Sequence, residues 1–184
     1  MHRIMLVDDE PNILNALRRT IGTRVTDGHD VFEIHVEIFD RPEAALERAH
    51  DAKFDLVMTD YRMPGMDGVA FLKCFRTLQP NAVRLILSGY ADLAAVIGAI
   101  NEAQIYRFIN KPWQDYEVGA TLTQALAFQN LLLENQRLAD LVRVQQGKLS
   151  QQELELRRLE EETPGITHVR RGPDGAVLLY EEDF

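Results

Sequence analysis

Five short apolar runs recur over roughly the first 110 residues: Arg3–Val7, Phe32–Ile38, Phe54–Thr59, Val83–Leu87 and Ile105–Ile109. Runs of this length, rich in β-branched residues and ended by polar ones, form strands buried in a sheet. Helical stripes follow them. Ile13, Leu14, Leu17 and Ile21 come after Pro11, and Ala44, Ala45, Leu46 and Ala49 after Pro42. Further helices are expected over 68–78, ending before Pro80, over about 91–102, and from Asp115 onward. Consecutive βα units require crossovers and fold into a parallel sheet with helices on both faces. The run from Phe32 alternates apolar and charged residues, so one face of that strand is wetter.

This pattern constrains the chemistry. In an open parallel sheet the carboxyl ends of the strands share one edge, where ligands bind. Asp8 and Asp9 follow Ile4-Met5-Leu6-Val7, Asp60 follows Leu56-Val57-Met58-Thr59, and Lys111 stands just past Phe108-Ile109. Three carboxylates and an ammonium thus converge on one pocket. Clustered carboxylates raise one another's pKa unless a cation intervenes. A hard, oxygen-rich site suits Mg²⁺, which keeps several waters and takes a phosphate oxygen. A carboxylate beside such an ion can attack phosphorus to give an aspartyl phosphate. Lys111 would neutralise one phosphoryl oxygen, and Ser88, ending the fourth strand, would donate a hydrogen bond to another.

Composition narrows the class. The chain has 184 residues, 46% hydrophobic, enough for one packed domain plus an extension. A net charge of −9 and a pI near 5.0 argue against broad nucleic-acid or anionic-membrane binding. No run reaches membrane-spanning length and no signal-like segment precedes the first strand, so a cytoplasmic protein is expected. Cys74, the single cysteine, falls in the stripe Phe71, Cys74, Phe75, Leu78 and is expected to be buried. His2, His29, His35, His50 and His168 lack metal-ligand spacing and are expected at the surface.

Four segments carry a resemblance: Val7-Asp8-Asp9-Glu10, Met58 through Gly68 (MTDYRMPGMDG), Leu87-Ser88-Gly89 and Asn110-Lys111-Pro112. Their order and placement are similar to those of the receiver domain of bacterial two-component response regulators, over about the first 125 residues. The resemblance implies a flavodoxin-like fold with a five-stranded sheet in the order 2-1-3-4-5. It implies Asp60 as the phosphoacceptor of a sensor histidine kinase. Asp8 and Asp9 would arrange Mg²⁺, with Asp9, Asp60 and the backbone carbonyl of Arg62 as ligands. It also implies a switch in which Ser88 moves toward the phosphoryl group and Phe108 turns inward behind it. Tyr106 is expected on the same face as Phe108 by strand alternation, which leaves the switch aromatic open between them. Arg62 and Tyr90, each two positions past a site residue, are candidates for shielding the acyl phosphate from water. The stretches 88–92 and 105–113 resemble receivers coupled to cyclic-dinucleotide phosphodiesterases, but no paired His-Asp metal motif follows.

Beyond residue 125 the pattern changes. With Phe128 as an a position, the a/d series reads Phe128, Leu131, Asn135, Leu138, Val142, Gln145, Leu149, Gln152, Leu156 and Leu159. This is a coiled-coil pattern, and Asn135 at a favours a parallel, in-register homodimer. Lys148 at g can pair with Glu153 at e of the partner helix, whereas Glu155 and Glu160 repel. Gly147 weakens the helix by roughly 1 kcal/mol. A single helix from 115 to 163 would reach roughly 70 Å, too long to bury against one small domain. Thr163-Pro164-Gly165 ends it, and 164–184 reads as a β-hairpin around Gly172-Pro173-Asp174-Gly175. The expected organisation is a receiver domain (1–125), a coiled-coil extension (126–163) and a hairpin tail (164–184).

The functional expectation is a phosphorylation-activated regulator that acts through protein contacts rather than catalysis. One alternative is the receiver part of a longer regulator with an enzymatic or DNA-binding output domain. The other, an aspartyl-phosphate phosphohydrolase of the haloacid-dehalogenase type, needs Asp-x-Asp after its first strand, whereas this chain has adjacent Asp8 and Asp9.

Overall fold

The computed structural model describes residues 1–22, 24–27, 30–89, 103–146 and 150–162. The expected helix 91–102, Tyr90, Gly147 through Leu149 and the expected hairpin lie outside the described residues. The elements are β1 (His2–Val7), α1 (Pro11–Ile21), β2 (Arg24–Asp27), β3 (Asp30–Phe39), α2 (Pro42–Asp51), β4 (Leu56–Asp60), α3 (Gly68–Leu78), β5 (Val83–Gly89), β6 (Arg107–Lys111), α4 (Asp115–Gln145) and α5 (Gln151–Glu162).

Period-two alternation in the strands builds two cores. Ile4, Leu6, Leu56, Met58, Leu85 and Ile109 face one side, where Leu14, Leu17, Val118 and Leu122 from α1 and α4 cover them. Met5, Val7, Val57 and Ile86 face the other, under Ala45 and Ala49 of α2 and Phe71, Leu72 and Phe75 of α3. β4 is buried at every residue, as expected of a central strand covered on both faces.

The sheet order is β2-β3-β1-β4-β5-β6. The five parallel strands stand in the expected 2-1-3-4-5 order. A sixth strand, β2, pairs antiparallel with β3 at the edge, with Val25 opposite Phe32. β2 is not among the five apolar runs, and its pairing satisfies the backbone of an otherwise open edge of β3.

Three further expectations are corrected. Cys74 is exposed, because Phe71, Leu72 and Phe75 occupy the buried face of α3. The last parallel strand starts at Arg107 rather than Ile105. Gln104 has φ +49°, and the chain around it is not extended. The single helix to residue 163 does not form. α4 ends at Gln145 and α5 starts at Gln151. Ser150 Oγ accepts from the Glu153 backbone N–H, and Glu153 Oε2 accepts from the Ser150 N–H. That reciprocal pair is a capping box, a helix-start signal that the heptad count ran through. Arg157 Nη1 reaches Asp140 Oδ1 at 3.2 Å. In one straight helix those residues would stand roughly 25 Å apart, so α5 folds back on α4.

α4 is held to the domain along one face. Val118, Leu122, Ala125 and Leu126 are buried, Gln129 donates to Asp55, and Gln136 and Asn81 exchange two hydrogen bonds. No helix among the described residues is long and apolar enough to cross a membrane.

Candidate functional site

Four strand ends meet at one edge. Asp8 directly follows β1, and its backbone N–H donates to Phe39 of β3. Asp60 is the last residue of β4, Ser88 lies near the end of β5, and Lys111 closes β6. The Lys111–Pro112 peptide bond is cis.

The ammonium bridges the two buried carboxylates. Lys111 Nζ lies 2.6 Å from Asp60 Oδ1 and 2.8 Å from Asp8 Oδ2. The other oxygens are also engaged: Asp60 Oδ2 accepts from the Arg62 N–H and Asp8 Oδ1 from the Glu10 N–H. Burial pushes the Asp8 carboxyl above its ordinary range, against hydrogen bonds from Lys111 and Glu10 that pull it down. For Lys111, burial alone would lower the pKa, but the hydrogen bonds to Asp60 and Asp8 outweigh it and hold the ammonium above the ordinary lysine value.

The loop after β4 depends on two glycines. Gly65 adopts φ +81°, a left-handed conformation that side chains resist. At Gly68 an added Cβ would overlap the Asp60 carbonyl oxygen, and the Gly68 N–H donates to the Tyr61 carbonyl at 2.9 Å. Asp67 caps α3 by accepting from Ala70 N–H at 2.8 Å. The Pro64–Gly68 segment therefore clamps the backbone behind Asp60, a shaping role visible in its turn chemistry.

Asp9 and Arg62 are exposed and line a shared cleft with Tyr61, Met63, Pro64 and Asp67. Ser88 is buried, with its hydroxyl donating to the Gly89 carbonyl. Phe108 is half-buried against the core under α2 and α3. Tyr106 packs on the opposite core and stacks on Phe128 of α4, centroids 5.1 Å apart. The expectation of a shared face is corrected: Tyr106 precedes β6, so strand alternation does not reach it.

The donor set suits a hard cation. The oxygens brought together at the edge are the carboxylates of Asp8 and Asp60, with Lys111 between them, and hard oxygen donors of this kind suit such an ion. Among the described residues no three His, Cys, Asp or Glu side chains form a complete metal cage.

Of the expected seam, Leu131, Leu138 and Val142 are 59%, 50% and 49% exposed, so nothing in the domain covers them. Phe128 is partly covered by Tyr106, Asn135 is exposed, and Leu156 and Leu159 are exposed on α5. Two buried features escaped the sequence reading. Arg84 donates to the carbonyls of Pro80, Ala82, Ala103 and Gln104, and burial pushes its guanidinium down to about 10. Gln79 ties Phe54 to Ala49 and Ala52. Neither polar residue carries a periodicity signal.

Residues 4–123 match the family of the response regulator receiver domain. The hydrogenase transcriptional regulatory protein HoxA of Cupriavidus necator is 36% identical over 135 residues, covering 73% of this chain and 26% of its own length. The transcriptional regulatory protein ZraR of Escherichia coli K12 is 32% identical over 127 residues, 67% of this chain and 26% of its own. Among solved structures, the signal receiver domain of an HD domain-containing protein from Pseudomonas fluorescens Pf-5 is 31% identical at TM-score 0.62, covering 70% of this chain and 97% of that one. An adenylate cyclase structure from Rhodopirellula baltica is 32% identical at TM-score 0.67, covering 76% and 97%. This chain belongs to the response regulator receiver family, a class of signalling modules phosphorylated by sensor histidine kinases. It spans about a quarter (26%) of these two curated relatives.

Proposed function

We propose that this chain is a phosphorylation-activated response regulator that takes a phosphoryl group on Asp60 and signals through protein contacts of its α4–α5 extension. The carrying observation is the Lys111 bridge at 2.6 Å from Asp60 and 2.8 Å from Asp8. An Asp60 carboxylate oxygen attacks phosphorus of the kinase phosphohistidine, the P–N bond breaks, and the departing imidazole nitrogen takes up a proton. Lys111 is already in place to offset charge on the phosphoryl oxygens without reorganising. Asp9, Asp60 and the Arg62 carbonyl would hold Mg²⁺, with Asp8 orienting it; when bound, the ion supplies further charge neutralisation.

Ser88 and Phe108 report the phosphoryl group. Ser88 exchanges its bond to Gly89 for a phosphoryl oxygen, and Phe108 moves inward behind it. The exposed seam Phe128, Leu131, Asn135, Leu138 and Val142 then meets a second copy in parallel. A second reading, a receiver within a longer regulator, is favoured by one fact: the chain spans only 26% of HoxA. Incubation with a small phosphodonor and Mg²⁺ tests the core assignment. Wild type takes one phosphoryl group and Asp60→Asn none; labelling at another residue overturns it.

A further inference from the structure

We propose that the chain from Asp115 to Glu162 has two alternative arrangements, the folded-back pair of α4 and α5 and one straight helix. A second copy of this chain selects the straight form. This rests on the dimer reading above and adds what dimerisation must do to the extension.

The a/d series that starts at Phe128 and runs through Leu138 and Val142 on α4 reaches Leu156 and Leu159 on α5 without losing register. A helix pair joined by a turn imposes no such continuity. A straight helix does, because a seam must face one partner along its whole length.

The folded-back form leaves Leu156 56% and Leu159 39% exposed, along with Leu131, Leu138 and Val142 on α4. On a helical wheel the seam of α4 lies roughly 140° from the face formed by Val118, Leu122, Gln129 and Gln136. That face is already taken by the domain. The seam therefore points away from the face that the described residues of the domain cover. Leu132 and Leu141, also exposed, flank it at e and g and widen the apolar strip.

Among the contacts that hold α5 back is Arg157 on Asp140, which already holds Arg143 at 2.8 Å, beside Leu133, Leu141 and Leu154 in the same cleft. Exposed pairs of this kind are weak. The straight seam is weak at its middle, where Gln145 and Gln152 stand at d positions, so it needs a second copy to cover it.

The occupant is a second copy because the pattern is self-complementary. Asn135 at a aligns two identical helices in parallel, and the sequence sets Lys148 at g against Glu153 at e of the partner. Glu153 is the carboxylate that caps α5 in the folded-back form, so the same residue serves one arrangement or the other.

The test uses the full chain with Arg137→Cys and Arg158→Cys on a Cys74→Ser background, spin-labelled, with distance and mass measured across a concentration series. The two positions line one cleft between α4 and α5 and would stand roughly 32 Å apart in a straight helix. The long distance should grow in step with the dimer. Arg157→Glu, which sets like charge against Asp140, should shift both to about tenfold lower concentration, and adding Asp140→Arg should restore the original balance. Dimers that keep the short distance overturn this inference and leave the dimer reading standing. A monomer at every concentration, with either distance, overturns both.

Discussion

The Lys111 ammonium lies 2.6 Å from Asp60 Oδ1, although β6 and β4 are not neighbours and β5 runs between them. The long lysine side chain spans an intervening strand to reach the acceptor, and its second contact, Asp8, lies on the far side of Asp60 in the sheet order. The charge of Lys111 is thus shared by two carboxylates. Lys111→Ala should lower the phosphotransfer rate about 100-fold by removing this preset neutralisation. Single-turnover labelling with a small phosphodonor measures it, and a rate unchanged from wild type would exclude Lys111 from the reaction.

Arg62 shares a cleft with Asp9, and its backbone N–H donates to Asp60. Shielding an acyl phosphate on Asp60 from water is the role proposed for its side chain. Arg62→Ala should accelerate dephosphorylation several-fold while leaving the phosphorylation rate near wild type. Decay of labelled protein after donor removal decides this; equal half-lives reject shielding.

Gly68 admits no side chain without displacing the Asp60 backbone. Gly68→Ala should cost about 1–3 kcal/mol, as for other forced overpacking, and should slow phosphotransfer because the acceptor shifts. Urea denaturation gives the first number and the labelling rate the second. A stable variant with full activity would show that the loop yields freely.

Asp55 sits at the opposite edge of the sheet. Burial pushes its carboxyl up, but the His2 imidazole 3.7 Å away and the Arg3 N–H, which donates to it at 2.7 Å, bring it net below its ordinary value. A depressed carboxyl stabilises the fold above its unfolded pKa, and that contribution is lost as pH falls through the lower folded value. Thermal stability should therefore decline on the acid side, below about pH 4. Asp55→Asn should flatten that decline and lower the midpoint at neutral pH by about 3 °C. Melting curves from pH 3 to 7, compared with wild type, test the sign.

Leu138 stands in the middle of the exposed seam and is 50% solvent-accessible. Leu138→Asp should abolish dimerisation without lowering the thermal midpoint of the receiver domain by more than about 2 °C, and phosphorylation of Asp60 should proceed normally. Light scattering with and without phosphodonor is the measurement. A dimer that survives the charge uses another surface.

The sequence pattern alone determined the parallel sheet, because apolar runs bury as strands and crossovers bring their carboxyl ends to one edge; the 2-1-3-4-5 order came from the resemblance to receiver domains. The placement of Asp8, Asp60, Ser88 and Lys111 at strand ends was legible for that reason, whereas Asp9 stands exposed in a cleft with Arg62. What was not legible depends on contacts between distant residues. The pairing of β2 with β3, the exposure of Cys74 and the packing of Tyr106 on Phe128 follow from which neighbour arrives at each surface. The extension shows the division most clearly. Heptad spacing determined which residues form an apolar stripe, since that is a property of one helix. The new helix start at Ser150 was also written locally, as a capping box, but only the tertiary structure decided that α5 returns to α4, because Arg157 meets Asp140 across a long stretch of chain.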